Sequence, residues 1–398
     1  MPLSPEAREL HHDWLLQLTQ IPTAAGREHR VIDWIQRWVA DRKDLTLQTD
    51  PAGNLDIRFA DETPDATPIY FTAHLDHPAF VIERVIAPAT VQLAFRGGVM
   101  DDYFEDARVI VHAHDARKHH GTLKGRANPG CAVFKSYLCD LDEESPDLRI
   151  GDIATWDLPE PRIEDGILHS HACDDLAALA AAISAFDILR ERRREDRAAV
   201  PQNVRLLFTR AEEIGFIGAI AAVREGTLPK HAKVIALEVS RSFDDSPIGG
   251  GPIVRVGDRL SVFCPSLTAA VAKRAEDIAG GPATVTAAQK LSERPAWKWQ
   301  RKLMPGGACE ATVFCSAGLD ATCLCLPLGN YHNMADLAAV QAGANTARPR
   351  VGPEFISISD FDGLVDLLIA CGEQIPESPS IRERIDRLWD ERAFVLKE

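Results

Sequence analysis

The chain is organised around residues 209–215, which read Thr-Arg-Ala-Glu-Glu-Ile-Gly. An apolar run at 203–209 predicts a strand, and it ends at two adjacent carboxylates, Glu212 and Glu213. A helix is predicted to begin directly afterwards, at Ile214. Neighbouring carboxylates repel each other unless solvent, a cation or a shared proton relieves the repulsion. A bound metal ion is the most specific of these three explanations.

Composition and charge limit the classes of protein to consider. The chain has 398 residues, enough for a large core and about two to three domains. It carries 44 lysines and arginines against 59 aspartates and glutamates, a formal charge of -15. This excess of negative charge argues against nucleic acid or an anionic membrane as the main partner.

Neither a secretory leader nor a membrane span is recognisable in the sequence. The first residues lack the apolar segment of a signal peptide, and no apolar run is long enough to cross a bilayer. The nine cysteines are scattered without a Cys-x-x-Cys pair, which fits a reducing compartment. We therefore expect a soluble, cytoplasmic protein.

The order of predicted elements indicates an α/β fold with an insertion. Two helices and a hairpin come first, and the apolar run at 68–73 is typical of a strand buried on both faces. Residues 80–165 show short alternating runs separated by Gly, Pro and Asp, with no long helix. Strands and helices then alternate to the end. We predict an α/β domain, residues 1–79 and 166–398, interrupted by an inserted β-rich, barrel-like domain at 80–165.

Five predicted strands are each followed by side chains that can bind a metal ion or move a proton. These are His74, the pair Asp174 and Asp175, the pair Glu212 and Glu213, Glu238, and His332. In open α/β sheets, ligands bind beyond the carboxyl ends of the strands, so we expect all five positions to converge at one edge. Each residue alone has an ordinary explanation, such as a helix N-cap or a solvated histidine. Their shared position at strand ends favours a common site.

The residue types suit two divalent ions that share a carboxylate better than they suit a structural zinc site. The predicted ligands are His74, Asp174 and Glu238 for one ion, and Asp174, Glu213 and His332 for the other. Asp76 is placed to accept the other imidazole N–H of His74 and so to orient it. Glu212 is left to take a proton from water and pass it to a leaving amine. Zinc is the default ion for such ligands, and cobalt or manganese would bind the same set.

Four motifs carry a resemblance to a known family. They are Ala73-His74-Leu75-Asp76, Asp174-Asp175, residues 212–219 (Glu-Glu-Ile-Gly-Phe-Ile-Gly-Ala) and Tyr331-His332. Together they resemble the ligand motifs of co-catalytic di-zinc aminopeptidases, most closely the tetrahedral and glutamyl aminopeptidase family. The resemblance implies a mixed-sheet, helix-flanked, zinc-exopeptidase-like catalytic domain that carries an oligomerisation domain. It also implies removal of N-terminal residues from short peptides by a homo-oligomer, from a dimer up to a dodecamer.

Three departures from the family pattern concern the substrate. Glu238 stands where the family usually has Asp, and His77 follows Asp76 where the family usually has Gly. Residues 307–311, Gly-Ala-Cys-Glu-Ala, match the family turn Gly-Gly-Thr-Asp-Ala only loosely. The segment from Leu291 to Lys302, with two tryptophans, is a candidate border of the substrate cleft, but surface or a contact between subunits is the simpler interpretation.

Several alternatives remain open at this point. The same scaffold can deacylate N-acyl amino acids or act as a carboxypeptidase. A glycosidase that uses Glu212 and Glu213 is disfavoured, because adjacent residues do not naturally flank a sugar bond at a separation of about 5 to 9.5 Å. A scaffold that keeps the metals only for assembly is the non-enzymatic alternative. The side chain preferred at the cleaved position, the native metal and the oligomer size do not follow from the sequence.

Two further groups are weaker metal candidates. The first is four histidines within 80–165, which are His112, His114, His119 and His120; the second is the pair Cys323 and Cys325. Exposed strand ends explain the histidines more simply. Small buried side chains explain the two cysteines.

Overall fold

The computed structural model describes residues 3–63, 66–283, 297–376 and 381–397. The helices are α1 (Pro5–Thr19), α2 (His29–Ala40), α3 (Leu176–Glu195), α4 (Ile217–Glu225), α5 (Pro265–Ala279), α6 (Glu310–Ser316), α7 (Leu337–Gln341), α8 (Ile358–Glu373) and α9 (Ile381–Arg392). The strands are β1 (Leu45–Thr49), β2 (Leu55–Phe59), β3 (Ile69–His74), β4 (Ala79–Ala87), β5 (Thr90–Arg96), β6 (Arg108–His112), β7 (Lys118–Ala127), β8 (Lys135–Leu141), β9 (Ile153–Trp156), β10 (Arg162–Glu164), β11 (Ile167–Ser170), β12 (Val204–Thr209), β13 (Lys233–Arg241), β14 (Ile253–Gly257), β15 (Gln300–Leu303), β16 (Asp320–Leu328) and β17 (Glu354–Ser357). Within these residues, no helix is both long enough and apolar enough to span a membrane.

One large sheet forms the centre of the fold. Its strands run in the order β1-β2-β12-β3-β13-β16-β14-β15. The central strands β12, β3, β13 and β16 are parallel neighbours, whereas β2 and β14 pair with them in the antiparallel direction. Every residue of β3 is buried, as expected for a strand covered on both faces. The predicted mixed α/β sheet is confirmed.

Helix α3 crosses the core beside this sheet. Its residues 176–187 are all buried, and it packs against α1, α8 and β3. Small alanine side chains along this stretch allow its neighbours to approach closely. The two residues that precede α3, Asp174 and Asp175, are therefore held by an element fixed in the core.

The inserted segment forms a barrel with a core of its own. Strands β4 to β9 close in the order β4-β5-β8-β7-β6-β9, which leaves no open strand edges within the barrel. Aromatic rings fill its interior, among them Phe80, Phe95, Phe104, Tyr137 and Trp156. The predicted small barrel-like fold is confirmed, while the domain limits at residues 80 and 165 stay a prediction.

Three local predictions differ from the structure. The helix expected from Ile214 begins at Ile217, because Gly215 and Phe216 have φ values of 112° and 60° that no helix accommodates. The strand expected to stop before Glu238 continues to Arg241, so this glutamate lies inside β13. Strand β11 belongs to a separate sheet, β10-β11-β17, so it does not end at the edge of the main sheet.

Candidate metal centre

Neighbouring parallel strands bring four of the predicted residues to one edge of the main sheet. His74 is the last residue of β3, and Glu212 and Glu213 lie in the turn between β12 and α4. Glu238 lies in β13, which pairs with the opposite side of β3. Because the carboxyl ends of these parallel strands share an edge, the four side chains gather there.

The other two predicted residues reach this edge by different routes. Asp174 lies between β11 of the small sheet and helix α3. His332 lies in a short 3-10 turn after β16, where its φ is 54°. The structure therefore brings the predicted residues together, but Asp174 follows a strand of the small sheet and not, as predicted, a strand of the main sheet.

The two histidines face the two oxygens of a single carboxylate. His74 Nε2 lies 3.4 Å from Asp174 Oδ1, and His332 Nε2 lies 3.5 Å from Asp174 Oδ2. His332 Nε2 also lies 3.4 Å from Glu213 Oε2. Two ligands of one tetrahedral ion, each bound at about 2.0–2.2 Å, are about 3.3–3.6 Å apart. The observed separations match ligands of a common ion better than they match direct hydrogen bonds.

Two groups of potential ligand atoms overlap at Asp174. One atom from each of His74, Asp174, Asp175 and Glu238 lies within 4.8 Å of the others, and the same holds for Asp174, Glu213 and His332. Within the described residues, four buried atoms of this cluster have no hydrogen-bond partner: His74 Nε2, Asp174 Oδ1, Asp175 Oδ1 and Glu213 Oε1. Buried polar atoms are normally satisfied, so unpaired imidazole and carboxylate atoms at one place fit divalent metal ions.

Asp76 fixes the turn that carries the two adjacent glutamates. Its carboxylate accepts the backbone N–H groups of Glu212 at 2.9 Å and of Glu213 at 3.1 Å. The sequence predicted instead that this carboxylate orients His74. Nδ1 of His74 lies 3.1 Å from the carbonyl oxygen of Asp76 and 3.5 Å from its carboxylate, so the carbonyl is the nearer acceptor.

Glu354 connects the two residues that reach the centre from outside the main sheet. Its Oε2 accepts the N–H of Asp174 at 3.0 Å, and its Oε1 accepts the N–H of His332 at 2.8 Å. The carboxylate is fully buried. No sequence pattern marks this residue, because its partners are 180 and 22 residues away along the chain.

A second unpredicted carboxylate, Glu28, holds the glutamate turn from the other side. Its Oε1 accepts the N–H of Ala211 at 3.1 Å, and its Oε2 accepts from Nε of Arg210 at 2.8 Å. Ala211 has a φ of 55°, a conformation that costs a non-glycine residue about 1–3 kcal/mol. The bonds from Glu28 help to offset that cost.

Burial makes the negative charges of the cluster unfavourable. Burial first, and then the charges of neighbouring carboxylates, raise the pKa of Glu212, Glu213 and Glu238 well above the ordinary value. Burial also favours the neutral form of Asp174, but the two neighbouring imidazoles hold the pKa of this carboxyl well below its usual range. A cluster with more carboxylates than imidazoles requires cations or protons for its stability.

The turn that matched the family pattern loosely also reaches the cluster. Glu310, the first residue of α6, is 3% exposed, and its Oε1 has no hydrogen-bond partner among the residues that the structure covers. Burial raises the pKa of Glu310 to about 7, even though the charge of His74 and a hydrogen bond with Thr209 act in the opposite direction. Residues 307–311 therefore form part of the wall of the site.

A cavity of about 130 Å³ opens beside Glu238. Its wall includes Arg241, Arg255 and Tyr331, together with the backbone at 306–308. Arg255 is buried, and its Nη1 donates to the hydroxyl of Ser240 at 3.0 Å. The cavity borders the carboxylate cluster, because Glu238 belongs to both.

The weaker metal candidates are ordinary parts of the fold. His112 is buried and hydrogen bonded to Thr155, and Nδ1 of His120 lies 2.8 Å from a carboxylate oxygen of Asp157 at the surface. Cys323 and Cys325 are buried in β16. In the part of the chain that the structure describes, none of the candidate histidines or cysteines belongs to a metal-binding group.

The tryptophan segment is only partly described. Trp299 is 4% exposed and lies in the main core, where its indole N–H donates to the carbonyl of Gly281. Trp297 packs against the same core. The interpretation as surface or as a contact between subunits was therefore wrong for Trp299, whereas Trp297 is partly exposed; residues 291–296 lie outside the described residues.

A mixed α/β sheet, an inserted barrel and a buried cluster of imidazoles and carboxylates at the strand ends together define the class of metal-dependent exopeptidases. The model of the M42 glutamyl aminopeptidase family matches residues 53–348, and the chain belongs to that family. The resemblance predicted from four motifs is confirmed. A comparison with curated proteins finds no match.

Solved structures share the fold along most of the chain. An aminopeptidase from the archaeon Desulfurococcus kamchatkensis has a TM-score of 0.70 and 19% identity, covering 92% of this chain and 95% of that chain. The TET1 peptidase of Pyrococcus horikoshii, described as assembling into a tetrahedron or a large octahedral shell, has a TM-score of 0.68 and 20% identity, covering 91% and 99%. A Thermotoga maritima protein described as an endoglucanase has a TM-score of 0.60 and 16% identity, covering 90% and 96%. At these identities the likeness shows the fold alone.

Family membership makes the chain a peptide-bond hydrolase, a metal-dependent aminopeptidase. It does not favour the deacylase, carboxypeptidase or scaffold alternatives. The glycosidase alternative is also disfavoured by geometry, because one oxygen each of Glu212 and Glu213 lies within 4.8 Å of the other and of His74. Carboxylates that flank a sugar bond require a separation of at least about 5 Å.

Proposed function

We propose that the chain removes the N-terminal residue from short peptides at a centre of two divalent metal ions. The observation that carries this proposal is the overlap of two ligand groups at Asp174, whose two oxygens face His74 and His332. A shared carboxylate is the arrangement expected where two ions act together on one substrate. Membership of the aminopeptidase family supports a peptide as that substrate.

The proposed ligands of the two ions follow the two groups. They are His74, Asp174 and Glu238, with Asp175 beside them, for one ion, and Asp174, Glu213 and His332 for the other. When bound, such ions lower the pKa of water and polarise a carbonyl group. Zinc suits this mixture of imidazole and carboxylate ligands, and cobalt or manganese would bind the same residues.

Glu212 is the residue proposed to move the proton. Its Oε2 lies 3.9 Å from His74 Nε2, which is too far for a hydrogen bond, so the carboxylate is not committed to that imidazole. Burial raises the pKa of Glu212 well above the ordinary value, as a group that exchanges protons near neutral pH requires. It can take a proton from the attacking water and give it to the leaving amine, while Asp76 fixes its backbone.

The cavity beside Glu238 is proposed to receive the side chain of the N-terminal residue. Arg255 is 2% exposed and lines the cavity together with Arg241, and its Nε has no hydrogen-bond partner in the described part of the chain. Two guanidinium groups in one wall favour an acidic side chain. We expect glutamyl and aspartyl substrates to be cleaved faster than lysyl substrates, and Arg255→Met to remove that preference.

The chain is also proposed to act as a homo-oligomer that assembles through the barrel. The related TET1 peptidase is described as forming closed shells, and the barrel segment exposes Val85, Ile86 and Val133. Exposed apolar side chains of this kind can form contacts between subunits. Assemblies from a dimer to a dodecamer are expected and can be distinguished by light scattering. A cytoplasmic location, without nucleic acid or membrane partners, stays a prediction from the sequence.

One experiment tests the central proposal. Purified wild type and Glu212→Gln are assayed for metal content and for hydrolysis of a panel of aminoacyl substrates, with N-acylated versions of the same compounds. We expect two ions per chain in both proteins, and a loss of about 10²–10⁴-fold in kcat for the variant, as the removal of a proton-transfer group predicts. N-acylated compounds should resist cleavage. Fewer than two ions per chain, with no hydrolysis of any aminoacyl substrate by wild type, would refute the proposal.

A further inference from the structure

Tyr331 forms the wall between the carboxylate cluster and the cavity. Its ring stacks on the imidazole of His332, with ring centroids 3.7 Å apart and 24° between the ring planes. It also lines the cavity that Glu238 borders. One side chain therefore touches a proposed metal ligand and faces the proposed pocket for the substrate side chain.

The hydroxyl of Tyr331 has no hydrogen-bond partner in the part of the chain that the structure describes. The hydroxyl of Tyr103, in contrast, donates to the carbonyl of Ala335 at 2.7 Å. The other neutral polar side chains of the cavity wall are committed, since Ser240 accepts from Arg255 and Gln341 accepts from Arg241. Tyr331 thus has donor capacity left for a ligand.

The geometry of a peptide allows its first carbonyl group to reach the wall that Tyr331 forms. The side chain and the carbonyl carbon of the N-terminal residue are attached to the same Cα atom. If the side chain enters the cavity and the carbonyl lies against the cluster, the carbonyl oxygen lies at the wall that Tyr331 forms. A phenol has an ordinary pKa of about 10, so it is a hydrogen-bond donor at neutral pH. A donor aimed at a developing oxyanion stabilises the transition state more than the substrate.

We infer that Tyr331 is a further catalytic residue, whose hydroxyl donates a hydrogen bond to the carbonyl oxygen of the N-terminal residue as the tetrahedral intermediate forms. In this step the oxygen of water bonds to the carbonyl carbon, and the C=O π electrons move onto the carbonyl oxygen that Tyr331 contacts. Glu212 accepts the proton of the water and then passes it to the nitrogen of the breaking C–N bond. Tyr331 keeps its own proton throughout. The inference rests on the proposed aminopeptidase function.

Tyr331→Phe isolates this contribution, because it removes one oxygen and leaves the ring on His332. We expect kcat to fall about 10²-fold, as the loss of one oxyanion donor predicts, with KM changed by less than about three-fold. The metal content should stay at the wild-type value. Tyr103→Phe is the matched control, since it removes the same atom from a tyrosine whose hydroxyl bonds the backbone carbonyl of Ala335. That variant should retain the wild-type kcat.

A phosphinic dipeptide analogue, which is tetrahedral at phosphorus, supplies a readout that does not depend on turnover. Calorimetry on metal-loaded protein should show that Tyr331→Phe weakens the analogue by the same factor as kcat/KM, while the free amino acid product binds as before. An unchanged kcat, or equal weakening of both ligands, would overturn the role. A fall in metal content would overturn it too, because Tyr331 would then act only by positioning His332. Absence of hydrolysis by wild type would instead show that the proposed function itself fails.

Discussion

Replacement of Glu354 by glutamine has consequences that follow directly from its contacts. The buried carboxylate accepts one N–H from Asp174 and one from His332, each on a different oxygen. A glutamine keeps one acceptor oxygen and turns an NH2 group towards the second donor. One of the two proposed metal ligands therefore loses the bond that fixes its backbone.

The loss of this hydrogen bond should lower both the stability of the protein and its affinity for metal. A buried N–H without an acceptor costs about 1–3 kcal/mol of unfolding free energy. Removal of a group that orients metal ligands typically lowers metal affinity about 10- to 100-fold, which corresponds to about 1.4–2.8 kcal/mol. We expect Glu354→Gln to bind divalent metal at least about 10-fold more weakly than wild type.

Competition with a chelating dye measures the metal affinity, and urea unfolding of the metal-free protein measures the stability. Glu62→Gln is the matched control, because Glu62 binds Arg205 through two bonds of 2.7 Å near the beginning of β12, away from the cluster. It should lower stability without changing metal affinity. A folded Glu354→Gln protein whose metal affinity stays within about three-fold of wild type would refute the reasoning.

Three further predictions concern the same centre. His332→Ala should lower the metal content from two ions per chain towards one, measured by mass spectrometry of purified protein, because the second ligand group loses its nitrogen ligand. Asp76→Ala should lower kcat about 10²-fold with little loss of metal, because the N–H groups of Glu212 and Glu213 lose their acceptor; an unchanged kcat would contradict this. Burial raises the pKa of Glu310 from 4.5 to about 7. The contribution of Glu310 to the stability of the metal-free protein is therefore complete at pH below about 4.5 and is lost as the pH rises through about 7. The Tm of the protein in chelator should fall as the pH rises through these values, and a Tm that rises instead would contradict the raised pKa of Glu310.

Sequence patterns located most of the proposed ligands because the relevant strands are parallel neighbours. His74 ends β3, Glu213 lies in the turn after β12, and Glu238 lies near the end of β13, so a rule about the carboxyl ends of parallel strands brings all three to one edge. The rule says nothing about Asp174, which follows a strand of another sheet. Asp174 lies at the predicted edge, but it follows a strand of the small sheet β10-β11-β17 and not a strand of the main sheet.

The remaining features depend on contacts between distant segments, which local patterns cannot reveal. Glu28 reaches Ala211 across 183 residues, and Glu354 reaches Asp174 across 180. Helix α4 starts later than predicted because Gly215 and Phe216 take left-handed conformations in the turn. The residues around Glu28 and Glu354 in the sequence do not indicate from which backbone N–H groups these carboxylates accept hydrogen bonds.

Both supporting carboxylates lie outside the segment that the family model matches. Residues 53–348 contain every residue proposed to bind metal or move a proton, whereas Glu28 and Glu354 lie beyond its two ends. A protein trimmed to that segment would keep all the ligands and lose the acceptors that hold Ala211, Asp174 and His332 in place. A catalytically active protein should therefore need residues on both sides of 53–348. Relatives that keep the motifs without these flanking residues should be poor catalysts.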